Sequence, residues 1–416
     1  MDDGGLLGTL RHSIIFANAL PGPATITLQA ETYNLTLSGA GGDTQGDLDI
    51  TRHLTIVGAG AGATVINAAT LSPRDRIFEV VVGNSASLNL SRMTLTGGLN
   101  EAGGAIRVYN NTIASVKELL LTDVVIVGNA ATVGAGLGGG VFVNVNAEAV
   151  LTRSVVTGNS ASAPNGGGGI FADAAGSLFA KVRLDRTVVA KNTAPDAPDL
   201  RSDQVGVVKA EYFSLGGNLI TNTSGANFNV DYNLQASDYV SSNVQYVVTS
   251  VVDSFDHGDD VSALSLREAI DSANLNDNVT ERIWLPAWNY VLTRDRATFG
   301  FGTTDMNIAF GDLDISDTLI VRGSGLAGNT SVAWRPGVVD AVFDLLGDYN
   351  GDGITTEDNG DVSGGDFLTW QTQNGQSGSP NDFSADGDDD GDVDGDDLDV
   401  WEDHYGNIFF LTGVEV

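Results

Sequence analysis

Short runs of apolar, largely β-branched residues recur along the first half of the chain, each ending in glycine or asparagine. Thr94-Leu-Thr-Gly-Gly98, Val125-Ile-Val-Gly-Asn129, Val155-Val-Thr-Gly-Asn159, Val188-Val-Ala-Lys-Asn192 and Phe213-Ser-Leu-Gly-Gly-Asn218 follow one pattern, with last positions 31, 30, 33 and 26 residues apart. Glycine runs follow at Gly103-Gly104, Gly138–Gly140 and Gly166–Gly169. Short strands with turn residues at a period of roughly 30 predict a solenoid of one coil per repeat. A sandwich would space its strands at about 8–12 residues and a propeller its blades at about 40–50. The period and strand type therefore predict a parallel β-helix. Glycine and asparagine are expected at its corners, where left-handed backbone is tolerated. Asn129, Asn159 and Asn192 are placed to stack as an internal amide ladder.

A longer repeat encloses this one. Thr9–Asn18 aligns with Ser265–Asn274, Tyr33 with Tyr290, Gly46–Ile50 with Gly311–Ile315, Leu54–Gly60 with Leu319–Gly325, and Phe78 with Phe343. Each copy opens on a predicted short helix. In the second, Ser265 and Glu268 give a capping box, and Leu266, Ala269, Ile270 and Ala273 form one apolar stripe. Such helices are suited to covering the open end of a sheet stack. A strand-like run, Tyr246–Val252, precedes the second copy, and no such run precedes the first. The chain is therefore expected to begin inside a module. The expected divisions are 1–245, a β-helix with its capping module; 246–345, a shortened second copy; 347–406, a small acidic helical domain; and 407–416, a tail.

Charge separates that last domain from the rest. The chain of 416 residues carries a net charge of −34, and residues 348–416 hold 19 acidic side chains with no lysine or arginine. So acidic a chain is a poor partner for nucleic acid, which needs clustered cations. With no cysteine it has neither disulfides nor Cys-ligated metals. No run of 18 apolar residues suggests a membrane span.

The acidic segment has a spacing of its own. Residues 386–397 place Asp386, Asp388 and Asp390 at positions 1, 3 and 5 of a twelve-residue calcium loop. Gly391 stands at the sharp turn, Asp392 is placed to offer its carbonyl, and Val393, Asp394 and Asp397 fill positions 8, 9 and 12. Calcium takes six to eight hard oxygens, and this spacing wraps them about one point. A helix-like run, Leu398–Tyr405, follows. Upstream, Asp348–Gly353 matches the first half of such a loop and Asn359–Asp366 the second, with seven extra residues between the halves. Its candidate ligands are Asp348, Asn350, Asp352 and Asp366, with Asp361 placed to give a carbonyl. An alternative register starts at Thr355 and uses Glu357, Asn359 and Asp366. Phe367–Trp370 mirrors Leu398–Trp401. Two Ca²⁺ ions are expected. Because calcium is millimolar mainly outside cells, an extracellular or cell-surface location is expected too.

Leu264-Ser-Leu-Arg-Glu-Ala269 resembles the CSLREA domain, which opens bacterial surface β-helices of the pectin-lyase-like superfamily. Gly103-Gly-Ala-Ile106 is similar to the repeat of chlamydial-type polymorphic outer-membrane proteins. Together these resemblances imply a right-handed parallel β-helix over roughly residues 5–345. The paired loop–helix units resemble a type I dockerin, which implies a calcium-dependent module with a cohesin-like or cell-surface partner. The pectin-lyase-like resemblance also implies polysaccharide as a ligand. Enzymes of that class use carboxylates on adjacent coils, or a carboxylate cluster with Arg or Lys as base. Asp123, Arg153 and Asp185 fall at similar places in their coils, an arrangement read here as a solvated ladder of charge. The Asn-Thr-Asp and Gly-His-Gly signatures of polygalacturonase-like hydrolases are absent. Asp259-Asp260 reads as a surface pair, and the four scattered histidines have no evident nucleophile or metal partner. No catalytic residue is assigned. The expectation is an adhesive or polysaccharide-binding surface protein, with a polysaccharide lyase or glycoside hydrolase as the alternative.

Overall fold

The computed structural model describes residues 8–37, 39, 44–81, 86–109, 117–230, 233–255, 263–275, 280–294, 313–324, 330–335, 342–349, 360–378, 384–387, 392–412 and 414. The chain divides into two compact units, 1–243 with 260–263, and 244–259 with 264–416.

The first unit is a parallel β-solenoid with three faces. The first face runs through Ala24–Thr27, His53–Val57, the leading halves of Ser87–Thr96 and Lys117–Val127, then Ala147–Thr152, Lys181–Asp185 and Glu211–Ser214. The second runs from Thr32–Asn34 through Val65–Asn67 to Val155–Thr157, Val188–Ala190, Leu219–Ile220 and Tyr239–Val240. The third stacks six strands from Leu48–Ile50 to Leu200–Ser202. Alternation puts every second side chain inside. Ile56, Leu90, Leu121, Leu151 and Leu184 form one internal column, and Ile66, Leu95, Ile126, Val156, Val189 and Ile220 another, all fully or almost fully buried. Like side chains meet in register, so a one-residue slip would turn a whole column outward.

The corners depart from expectation in an instructive way. Gly128 and Gly158 take left-handed φ of 66° and 61°, and Lys191 does so at 55°. The following Asn129, Asn159 and Asn192 instead turn their side chains inward and are almost wholly buried. Each carboxamide bonds the next: Asn129 Nδ2 donates to Asn159 Oδ1 and Asn159 Nδ2 to Asn192 Oδ1, both at 3.0 Å. The last rung, Asn192 Nδ2, donates to Asp199 Oδ1 at 3.0 Å. Asn218, the last member of the sequence repeat, belongs to a different ladder. Ser154 N donates to Thr187 Oγ1 at 3.4 Å, Thr187 N to Asn218 Oδ1 at 2.8 Å, and Asn218 Nδ2 to Asp238 Oδ1 at 3.0 Å. Both ladders thus end on an aspartate. A carboxylate is acceptor only, so it terminates a chain of donors without needing a further acceptor of its own.

The glycine runs sit where coils crowd. A Cβ on Gly139 would lie 2.3 Å from the carbonyl oxygens of both Gly168 and Ser160, so only hydrogen fits there.

Two short helices close sheet edges as the repeat suggested. Helix α1 spans Leu10–Ala19 and α2 Leu266–Asn274, the latter with its capping box formed by Ser265 and Glu268. Asn18 Nδ2 donates to Asp49 O at 2.7 Å while Asn18 Oδ1 accepts from Thr51 N at 3.0 Å. Asn274 makes the same pair of bonds to Asp314 O and Ser316 N, at 2.8 and 3.1 Å. One carboxamide thereby satisfies a donor and an acceptor at a sheet edge, which explains the asparagine in the last turn of both helices.

The second unit repeats the three-faced arrangement in miniature. Tyr246–Val247, Glu281–Trp284, Leu319–Arg322 and Ile408–Thr412 form one parallel face. Asn289–Leu292 pairs with Ser331–Trp334, and Leu313–Ile315 with Phe343–Leu345. Residues 407–416, expected as a tail, supply the strand Ile408–Thr412 of this sheet, with Phe409 and Leu411 buried. Among the described residues no helix is long and apolar enough to cross a membrane.

Candidate functional site

Two helices carry the acidic segment: α3, Gly364–Gln373, and α4, Gly395–His404. They are related by a shift of 31 residues that is visible bond by bond. Ser363 and Asp394 are the N-caps, and Asp366 and Asp397 close their capping boxes from the third helical position. Asp366 Oδ2 accepts from Ser363 N and Asp397 Oδ2 from Asp394 N, each at 2.6 Å. Both carboxylates are almost completely buried, as are Val362 and Val393 before them.

The two halves also exchange contacts. Trp370 Nε1 donates to Asp394 O at 2.7 Å, and Trp401 Nε1 donates to Ser363 O at 2.8 Å. Gly375 N donates to Val393 O and Val393 N to Gln376 O, while Gly406 N donates to Val362 O and Val362 N to Asn407 O. Each helix therefore pins the loop in front of the other. Phe367 packs between the indoles, 5.7 Å from Trp370 and 5.1 Å from Trp401.

Of the expected ligands, Asn350, Asp352, Asp388 and Asp390 lie outside the described residues. Asp386 is buried, and Gly387 N donates to Asp397 Oδ1 at 2.6 Å, so the twelfth position of the loop folds back onto its first turn. Asp361, Asp392 and Asp394 are exposed, and Asp348 is partly so. Asp361 and Asp392 occupy equivalent places, in antiparallel pairing with Ile408 and Ser377. The donor set suits a hard cation: it is all oxygen, and the carboxylates of Asp366 and Asp397 are held in place by backbone N–H groups.

The ladder of charge lies where two faces meet. Arg153 forms a bidentate pair with Asp123, both contacts at 2.8 Å, at corners of left-handed φ 46° and 56°. Asp185 lies beside them: its carbonyl accepts from Arg153 N at 2.9 Å, and its charge, after the hydrogen bond and charge of Asp123, helps hold the Arg153 guanidinium protonated. It falls one residue short of the corner, which Arg186 occupies, and it pairs with that arginine at 2.7 Å. Each charge is matched by a neighbour, as in a structural ion pair.

Two carboxylate groups escaped the sequence reading. Asp47, Asp49 and Glu79 bring ligand atoms within 4.8 Å of one another. Arg76 lies 3.6 Å from Asp47 and also pairs with Glu79, and Arg107 stands 3.8 Å from Glu79. These arginines compensate the cluster. Burial first, then the charge of Asp75, push the Asp47 carboxyl up to about 8. A carboxyl raised in this way favours the folded state while it is protonated. Its contribution therefore declines as pH rises from the ordinary ~4 of an unfolded chain to about 8. Asp47→Asn should abolish that decline, so that urea midpoints of variant and parent diverge in the variant's favour between pH 5 and pH 8. A constant offset would refute the assignment. The second group is Asp173 and Asp203, at one position on adjacent coils, with Asp173 pushed up to about 6 by burial and by its partner's charge. The readable signal for both groups was the solenoid period, since 49 to 79 and 173 to 203 are each one coil.

Among known proteins, no family model, no curated sequence and no solved structure matches this chain.

Proposed function

We propose that this chain is an extracellular or cell-surface β-solenoid whose C-terminal helix pair binds two Ca²⁺ ions and serves as a calcium-dependent attachment module of the dockerin kind. The solenoid would offer its long faces for adhesion or polysaccharide binding. The observation that carries the reading is the reciprocal clamp of Trp370 on the cap of α4 and Trp401 on the cap of α3. It supports two equivalent loops, each closed by a buried aspartate. Asp386, Asp388, Asp390, Asp392, Asp394 and Asp397 would hold one ion, and Asp348, Asn350, Asp352, Asp361 and Asp366 the other. Bound calcium would supply cross-linking and charge neutralisation where the chain has no disulfide.

Calorimetric titration of the chelator-treated full chain should resolve two Ca²⁺ sites, with Asp397→Ala removing one and Asp366→Ala the other. Absence of binding heat in the parent protein would overturn the reading. The full chain is the right sample because Ile408–Thr412 belongs to the sheet of the second unit.

A second reading, a pectin-lyase-like hydrolase or lyase, is favoured by Asp173 and Asp203. Two carboxyls on adjacent coils, one raised to about 6, are what acid–base cleavage of a glycosidic bond uses. Reducing ends or unsaturated product from a uronate polysaccharide panel, lost in Asp173→Asn, would establish it. An inert parent protein would remove it.

A further inference from the structure

The acidic helix pair is built into a coil of the second unit. The chain enters it from the strand Phe343–Leu345, with Leu346 N donating to Ile315 O and Asp348 N to Leu345 O, both at 3.0 Å. It leaves as the strand Ile408–Thr412, which lies parallel on Leu319–Arg322. In the first copy residues 81–86 make the same connection. Phe78–Val80 pairs with Leu48–Ile50 as Phe343–Leu345 pairs with Leu313–Ile315. Ser87 then opens the strand that pairs with His53–Val57 as Ile408–Thr412 pairs with Leu319–Arg322. The helix pair therefore replaces a short corner of the coil, and both of its ends are anchored in that unit's sheets.

The repeat within the pair extends to the bonds that clasp each loop. Gly375 N donates to Val393 O at 2.7 Å, Val393 N donates to Gln376 O at 2.9 Å, and Asp392 bridges to Ser377. One repeat further on, Gly406 N donates to Val362 O at 2.9 Å, Val362 N donates to Asn407 O at 3.1 Å, and Asp361 pairs with Ile408. The bonds correspond one for one, but the clasping residues belong to different structures. Gly375–Ser377 connects α3 to the second loop and is no part of the sheet. Gly406–Ile408 runs straight into the sheet, and Ile408 is the first residue of its strand. Gly360 extends the pairing to Phe409, which is wholly buried. Asn407 Nδ2 donates to Ser316 O at 3.0 Å and Ile408 N to Thr318 Oγ1 at 3.4 Å, fixing the strand's entry.

We infer, resting on the calcium reading proposed above, that the two calcium loops have different tasks: the loop ending at Asp366 controls the seating of Ile408–Thr412 on the solenoid sheet, and the loop ending at Asp397 does not. Asp361 is placed to give its carbonyl to an ion, and its backbone is paired with the first residue of that strand. Fixing Asp361 and Asp366 in one geometry removes freedom from the backbone on which the strand closes. Ion binding and strand seating therefore favour each other by the same factor. In the other loop the equivalent carbonyl belongs to Asp392, whose partner Ser377 has no contact of this kind with the sheet. Order gained there steadies α4 at its cap and reaches the strand only through the helix.

The test is amide exchange of the full chain, read by mass spectrometry on peptides covering Ile408–Thr412. Samples are compared in chelator and in excess free Ca²⁺, with calorimetry run on the same protein. With calcium at about a hundred times Kd, protection of Ile408–Thr412 should rise by about a hundredfold, the factor one site supplies at that excess. Asp366→Ala should cut this rise by about tenfold or more, and Asp397→Ala should keep it to within about threefold. Both variants lose the same cap bond, so their comparison cancels that loss. Calcium heat in the parent chain with no change at Ile408–Thr412 overturns the inference and leaves the calcium reading standing, and this arm requires no variant to fold. Equal losses in the two variants overturn it as well. No calcium heat in the parent chain removes the calcium reading, and the division of tasks falls with it.

Discussion

Removing calcium with a chelator is expected to lower the thermal midpoint of the second unit by about 10 °C or more and to leave the first unit unaffected. Tryptophan fluorescence isolates the effect, because all five tryptophans lie between residues 284 and 401. The magnitude follows from mass action. Two sites at a hundredfold excess of free ion over Kd contribute about 5 kcal/mol together, and a domain of this size shifts by roughly 2–4 °C per kcal/mol. The direction follows from charge. The segment 348–416 has 19 acidic side chains and no lysine or arginine, so nothing in it but a cation offsets the repulsion. Loss of the helix pair should spread into the sheet, because Phe409 and Leu411 of the following strand are core residues. A midpoint indifferent to calcium, with Asp366→Ala and Asp397→Ala as stable as the parent, would defeat the calcium reading.

Asn159→Ala should be the most damaging single substitution in the first unit, at about 4 kcal/mol. Asn159 accepts from both Asn129 N and Asn129 Nδ2, and its own Nδ2 donates to Ile126 O, Thr157 O and Asn192 Oδ1. Alanine strands all these partners in a site from which water is excluded, at roughly 1–3 kcal/mol for each one left unsatisfied. The exposed Asn233→Ala is the control and should stay within about 0.5 kcal/mol. Urea unfolding followed by far-ultraviolet circular dichroism of both variants decides the matter. A loss below about 1 kcal/mol for Asn159→Ala would mean that the ladder is not a stabilising element.

Much of this was legible in the chain. Val125, Val155 and Val188 recur at one coil's spacing, and the period alone identified a parallel stack. The amide ladder followed from Asn129, Asn159 and Asn192, because in a solenoid equal spacing in sequence is vertical alignment in space. The loop–helix repeat was readable from Asp366 and Asp397 with the tryptophans four residues on. Asn218 was misleading: its local pattern matched the others, yet it stands one full coil of 31 residues after Thr187, at the neighbouring corner, and not one coil after Asn192. Asp185 stands beside Arg153 as its spacing suggested, but one residue short of the corner, which Arg186 takes. Asp173 and Asp203 went unnoticed because nothing about an isolated aspartate marks it until the coils bring two together.

The sequence by itself determined the solenoid, its period, the duplicated capping module and the acidic loop–helix pair. These rest on local spacing and on side chains that repeat in register, which a linear text preserves. Only the tertiary structure decided where each ladder ends, on Asp199 and Asp238, and that the chain's last strand returns to the second unit's sheet. Those outcomes depend on residues distant in the chain meeting across a coil or a unit, and no periodicity records which backbone groups are left to be satisfied there.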